Sequence, residues 1–244
     1  MIGSSAMPRI VTVAATKGGV GKTTLAYELA SCLGGILVDL DWDSGGATRM
    51  WGYDPAAYRR AALLDALEAG PEGKAPVPRT RPHQPALVPA HHDLAASTIP
   101  DALVADCLSA WALAWGREWV VVDTHPGANA LTDGAMQVAD LVVVPVLLGA
   151  REMDALEGML HDFADYRLLI APNMVPPLPP RRYVERLAAL ADGRPVAPPL
   201  SEHRWIRRRV RRSALTLQPG PGKQVVRAAN ELRAVATAVE KACD

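Results

Sequence analysis

Cysteine is scarce in this chain, with only Cys32, Cys107 and Cys243 among 244 residues. The number is odd, the spacing is wide and no CxxC occurs. A disulfide scaffold or zinc knuckle is thereby excluded, and a reducing, cytoplasmic setting fits better. No long hydrophobic run is present either. The most apolar stretch, Leu141–Ala150, is interrupted by Pro145 and falls well short of the roughly 20 residues a membrane helix needs. Met1–Pro8 lacks the basic start and apolar middle of a signal peptide, and is expected to be a tail ahead of one domain spanning Arg9–Asp244. An excess of charge of one sign is missing too: 26 Lys and Arg balance 26 Asp and Glu, so the chain as a whole is not a basic nucleic-acid binder. Phe occurs once, a bias without functional weight. The composition, 49% hydrophobic and 21% charged, is that of a chain able to bury a core.

Continuous apolar runs alternate with helical stretches. Strands are expected at Ile10–Ala14, Ile36–Asp41, Ala86–Pro89, Trp119–Asp123, Leu141–Leu148 and Leu168–Ala171. Helices are expected at Lys22–Leu33, Ala56–Ala69, Asp101–Trp115, Asp154–Tyr166, Arg181–Ala191 and Gln224–Lys241. Uninterrupted rather than alternating apolar strands indicate a sheet covered on both faces. The expected fold is therefore α/β, with a doubly wound, mostly parallel sheet of the P-loop NTPase type. Ligands in such sheets bind beyond the carboxyl ends of the strands. The glycine loop, Asp41 and Asp123 all fall at that edge.

The strongest chemical signal is Lys17-Gly18-Gly19-Val20-Gly21-Lys22-Thr23-Thr24, between a strand and a helix. Glycines let backbone N–H groups curl around a phosphate, and the helix start adds partial positive charge. Lys22 is placed to reach the β- and γ-phosphates of ATP, Thr23 to ligate Mg2+, and Thr24 to bond a phosphate further back.

With its second lysine, Lys17, this loop resembles the deviant Walker motif of the ParA/MinD superfamily of P-loop ATPases, and most of all its short, Soj-like partition members. The resemblance extends through Val38-Asp39-Leu40-Asp41, Leu87–Ala90, Val120–Gly127 and Ala139–Val146, from about Arg9 to about Val239. It implies an ATPase that dimerises with ATP, Lys17 reaching the partner's nucleotide, where a cation would neutralise charge developing on the transferred phosphoryl group. It further implies that Asp41 positions the attacking water, that Asp39 lies near the Mg2+ shell and that Asp123 binds Mg2+ through water. Asn173, just after a strand, matches a position that often contacts adenine. Two departures stand out. Trp42-Asp43 replaces the usual Pro-Gln, and His125 stands where proline is usual, read as a tolerated replacement or as a more flexible, pH-responsive switch.

Six arginines lie within nine residues, at Arg204, Arg207, Arg208, Arg209, Arg211 and Arg212. Such a cluster can track a phosphate backbone without reading bases, although a charge run is more often a solvated or ion-paired face. In partition ATPases of this kind a basic patch near the C-terminus binds double-stranded DNA non-specifically. The resemblance thus implies a nucleoid-associated, cytoplasmic homodimer, its hydrolysis stimulated by a ParB-like or other adaptor. No helix-turn-helix segment precedes the loop, so operator recognition is not expected.

A membrane-cycling, MinD-like role would need a bulky amphipathic C-terminal helix. The stripe Val225, Ala229, Leu232, Val235 and Val239 reads instead as a face packed on the domain. Cysteines suited to an iron–sulfur electron carrier and a tyrosine-rich kinase tail are both missing. A protein-positioning ATPase without DNA binding and an amide-forming synthetase of the same fold remain as alternatives. The six histidines form no credible metal spacing, Pro176–Pro180 reads as a stiff loop, and Trp111, Trp115 and Trp119 read as core or interface anchors.

Overall fold

A computed structural model describes residues 7–43, 46–54, 62–209, 212–218, 220 and 222–244, with Arg207 placed in its backbone only. Six strands form one parallel sheet: β1 (Arg9–Val13), β2 (Ile36–Asp39), β3 (Ala86–Val88), β4 (Trp119–Asp123), β5 (Leu141–Val146) and β6 (Leu168–Pro172). Their spatial order is β3-β2-β4-β1-β5-β6. The β1 strand lies centrally, between β4 and β5, so the loop that follows it emerges in the middle of the carboxyl edge.

Each strand is apolar throughout because both of its faces are covered. Val11, Val13, Leu37, Val121 and Val143 pack against α1 (Lys22–Cys32) and α8 (Lys223–Cys243). On the opposite face, Ile10, Val38, Val120 and Val122 meet α3 (Ala62–Ala69), α4 (Asp101–Trp115) and α5 (Ala130–Gln137). Further along it, Val142, Val144 and Ile170 meet α6 (Ala150–Asp162) and α7 (Arg181–Ala191). The stripe on α8 is packed as its sequence indicates: Ala229, Leu232, Val235 and Val239 are buried, and Val225 lies against them. Burying each of the larger side chains contributes about 1.5–3 kcal/mol, ample to hold that helix on the sheet.

Several elements differ from the sequence expectation. The helix expected from Asp154 begins at Ala150 and ends at Asp162. The fifth strand stops at Val146 rather than Leu148. The expected helix from Ala56 is described only over Ala62–Ala69, the earlier residues lying outside the described set. Two further helices, α2 (Ala47–Trp51) and α5, are short and fall outside the sequence expectation. The start of α5 has a local signal: Asn129 caps it, its side chain accepting from the Thr132 N–H at 2.9 Å. Gly134 hides the helix in sequence, yet tertiary packing requires it. A Cβ there would lie 2.3 Å from the Asp101 carbonyl oxygen and 2.7 Å from Val104 Cβ, on the crossing helix α4.

Among the described residues no helix is long and apolar enough to cross a membrane.

Candidate nucleotide site

The sheet register assembles the site. Val13, last before the glycine loop, pairs with Asp123, and Asp123 pairs with Asp39. Two carboxylates thus stand side by side at the carboxyl edge, next to the loop. Gly21 precedes α1 at φ 90°, in the left-handed region that favours glycine. It must also be small, because a Cβ would lie 2.4 Å from Asn173 Nδ2. The helix then starts with no side-chain cap and no acidic residue in its first turn. Its leading amides are left for an anion, with the helix dipole behind them.

Asp123 is fully buried, and neither carboxylate oxygen makes a well-formed hydrogen bond among the described residues, although the Thr23 hydroxyl lies nearby. Burial raises its pKa well above the ordinary carboxylate value, and the neighbouring Asp39 charge adds to this; Thr23 and Lys22 oppose it. Burial likewise pushes Asp39 up to about 7, against hydrogen bonds from Thr48 and the Asp41 amide. Asp39 Oδ1 accepts from the Asp41 N–H at 3.0 Å and Oδ2 from the Thr48 N–H at 2.6 Å. Lys22 is itself buried, which lowers its pKa, while Asp123 and Asp41 pull it back up.

Such an arrangement is costly when empty. A buried carboxylate without hydrogen-bond partners, Asp123, calls for a cation, and a buried lysine at an uncapped helix start calls for an anion. The donor set of Thr23, Asp123 and, behind them, Asp39 is hard oxygen, suited to Mg2+. The residues therefore fit a Mg2+–nucleotide phosphate group. Thr23 and Asp123 would face the ion, with Lys22 and Gly18–Thr24 around the phosphates. When bound, the ion neutralises phosphate charge during phosphoryl transfer.

Lys17 is half-buried and donates to the Arg151 carbonyl oxygen at the start of α6, at 2.9 Å. Asn173 lines a small cavity of about 40 Å³ with Thr24, Leu200, His203, Ile206 and Leu232. Its amide is already committed, donating to the Val20 carbonyl oxygen at 2.8 Å and accepting from the Met174 N–H. Asn173 thus acts first as a brace beneath the glycine loop, a task its sequence position does not reveal.

Asp41 lies at the rim, its Oδ1 3.0 Å from His125 Nδ1 and also accepting from the Asp43 N–H at 3.1 Å. The His125 ring stacks on Trp42, centroids 4.0 Å apart. Beyond them opens a cleft of about 460 Å³ bordered by Asp43, Arg49, Tyr53 and His92.

The arginine segment divides. Arg204, Arg208 and Arg212 are exposed, Arg204 near Glu202. Arg209 turns inward to Glu28 and the Ser213 carbonyl, and Arg212 donates to the Gly52 carbonyl at 3.3 Å. Arg211 and the side chain of Arg207 lie outside the described residues. Two residues without a signal in the sequence anchor this segment to α1. Tyr27 donates to the Arg212 carbonyl, and Glu28 accepts from the Leu215 and Thr216 N–H groups.

Fold and site together define a P-loop nucleotide-binding α/β protein. A sequence model of the AAA_31 family, an AAA domain, matches residues 8–174. The chain is 31% identical over 191 residues to the chromosome-partitioning ATPase Soj of Thermus thermophilus, covering 76% of this chain and 71% of that protein. It is 34% identical over 167 residues to the chromosome partitioning protein ParA of Caulobacter vibrioides, covering 62% of this chain and only 59% of that relative's length. Among solved structures, an ATP complex of a McdA variant from Cyanothece superposes with a TM-score of 0.73 at 15% identity, covering 96% of this chain and 97% of that one, a likeness of fold. The chain belongs to this AAA_31 family, with the ParA/Soj-type P-loop ATPases.

Proposed function

We propose that this chain is an ATP-driven dimerising switch. It binds ATP with Mg2+, closes into a homodimer through Lys17, binds double-stranded DNA without sequence preference and hydrolyses ATP slowly to partition or position DNA or another cargo. The observation that carries the reading is the buried, partnerless Asp123 carboxylate opposite a glycine loop that carries both Lys17 and Lys22. Lys22 and the α1 amides hold the phosphates, while Asp41 orients water at the rim. Lys17 reaches the nucleotide of a second copy once its bond to Arg151 is exchanged. Arg204, Arg208 and Arg212 supply the exposed positive charge, whereas Arg209 is turned toward Glu28. A ParB-like or other adaptor stimulates hydrolysis, and the protein works in the cytoplasm on the nucleoid. The likeness to the chromosome-partitioning proteins Soj and ParA supports the partition role.

Binding to a random-sequence duplex, measured with ATP, with ADP and without nucleotide across a salt series, tests the DNA arm. ATP-dependent binding is expected, and replacing Arg204 and Arg208 by alanine should flatten the log–log salt slope by about one unit for each phosphate ion pair removed. Tight ATP binding with no DNA binding in any state would move the reading to a protein-positioning ATPase. The inward commitment of Arg209 gives that second reading its one structural support.

A further inference from the structure

The two places where this chain departs from the partition pattern, Trp42-Asp43 and His125, are far apart in sequence, yet they meet at the rim of the site. In the structure they form one unit around Asp41. The His125 and Trp42 rings are nearly parallel, 14° apart with centroids 4.0 Å apart. His125 Nδ1 lies 3.0 Å from Asp41 Oδ1 and 3.8 Å from Asp43 Oδ2. The His125 side chain is 20% exposed and that of Asp41 11%, so the contact is largely shielded from water.

We propose that His125 is the positioning residue of Asp41, held at its angle by Trp42, and that it takes over in this chain the rigidity that proline would give the switch segment. The inference rests on the role of Asp41 given above. An ionised carboxylate only accepts, so the imidazole presents Nδ1–H toward it. Asp41 Oδ1 then receives two donors, this N–H and the amide of Asp43. Both hydrogen bonds of the carboxylate among the described residues fall on that one oxygen. Two donors on Oδ1 fix the carboxylate plane and leave Oδ2 as the oxygen that can accept from water. Stacking on Trp42 removes the freedom of the imidazole about its outer torsion. The remaining chain of restraint runs through backbone: the Thr132 hydroxyl donates to the His125 carbonyl at 3.2 Å, and the Thr124 hydroxyl donates to the Val13 carbonyl at 3.0 Å. The segment carrying His125 is thus tied to α5 on one side and to the strand before the glycine loop on the other.

A positioning residue acts on the step its partner serves and leaves ground-state binding alone. Single-turnover hydrolysis of ATP, affinity for a fluorescent ATP analogue and thermal melting would be measured for the intact chain and for D41A, H125A, H125N, W42A and the double variant D41A/H125A. Loosening a well-held group costs on the order of ten- to a hundredfold. H125A should slow the single-turnover rate by that factor with nucleotide affinity within about twofold. H125N, whose amide can donate from nearly the same place, should recover most of the rate, and W42A should show a smaller loss than H125A. The double variant should be no slower than D41A alone, because a group acting only through Asp41 has nothing left to position. A rate in H125A equal to that of the unaltered chain, or independent and multiplying losses in the double variant, overturns the proposal. So does an H125N variant as slow as H125A while melting normally. If D41A itself turns over ATP at the unaltered rate, the role of Asp41 falls and this inference falls with it. If D41A is inactive and H125A is not, only the positioning role of His125 is refuted.

Discussion

Replacing Glu28 by alanine should damage this protein more than removing any single arginine of its basic segment. Glu28 sits in the middle of α1 and is 2% exposed. Its carboxylate accepts from Leu215 N at 2.8 Å, Thr216 N at 3.0 Å and Thr216 Oγ1 at 2.8 Å, with the Arg209 guanidinium 3.6 Å away. Burial raises the Glu28 pKa, and those donors work against it. Truncation would strand two buried amides, a buried hydroxyl and one cation. A stranded buried donor costs about 1–3 kcal/mol, and removing one side of a buried charge pair costs about 3–5 kcal/mol. Because these terms share one site and do not add, the loss should be about 4 kcal/mol. For a domain of this size that corresponds to a melting temperature lower by roughly 10 °C. Glu28→Gln keeps one acceptor but turns an N–H2 toward a donor, and should fall between. Arg209→Ala leaves the three hydrogen bonds to Glu28 intact and removes only the cation 3.6 Å away and its bond to the Ser213 carbonyl, so it should cost less, about 2 kcal/mol. Thermal melting followed by circular dichroism gives the ranking, and tryptic cleavage within Arg204–Arg212 should accelerate first in Glu28→Ala. A Glu28→Ala melting point within about 2 °C of the parent, or a larger loss in Arg209→Ala, would refute the reasoning.

Gly134→Ala gains helix propensity of about 1 kcal/mol but forces a Cβ into the α4 backbone, and overpacking of about 1–3 kcal/mol should make it net destabilising in a denaturant titration. Asp39 is held above its unfolded value of 3.8, at about 7, so metal-free protein should lose stability as pH rises from about 4 through about 7. Mg2+ with ATP favours the charged carboxylates, so melting curves near pH 6 and pH 8 should converge on adding it and stay apart in chelator. Lys17→Ala should keep ATP affinity within about twofold, since its ammonium is held by the Arg151 carbonyl in the protomer, while ATP-dependent dimers seen by light scattering disappear. Unchanged dimerisation would place Lys17 outside the interface.

The glycine loop and both strand-end carboxylates are legible because their chemistry is local. A loop that wraps phosphate needs residues without Cβ in consecutive positions, and a strand buried on both faces shows as an unbroken apolar run. The final helix is equally clear from its 3.6-residue stripe, and Val235 and Val239 are buried as that stripe requires. Short elements are not legible. Five or eight residues carry too little periodicity, and Gly134 argues against a helix until α4 is seen crossing it.

From the chain alone came the parallel α/β architecture, the glycine loop and the carboxylates at the strand ends, because periodicity and consecutive spacing are written along the backbone. Only the folded structure could decide what distant residues do to one another. The register of β1, β2 and β4 places Asp39 beside Asp123 and deprives Asp123 of partners. Packing turns Arg209 from a surface charge into the partner of a carboxylate on α1, and commits the Asn173 amide to the Val20 carbonyl. It also brings Trp42 and His125 into one stack against Asp41. Whether a polar group meets solvent, a ligand or another side chain depends on contacts between residues far apart in the chain, and linear spacing carries no record of those distances.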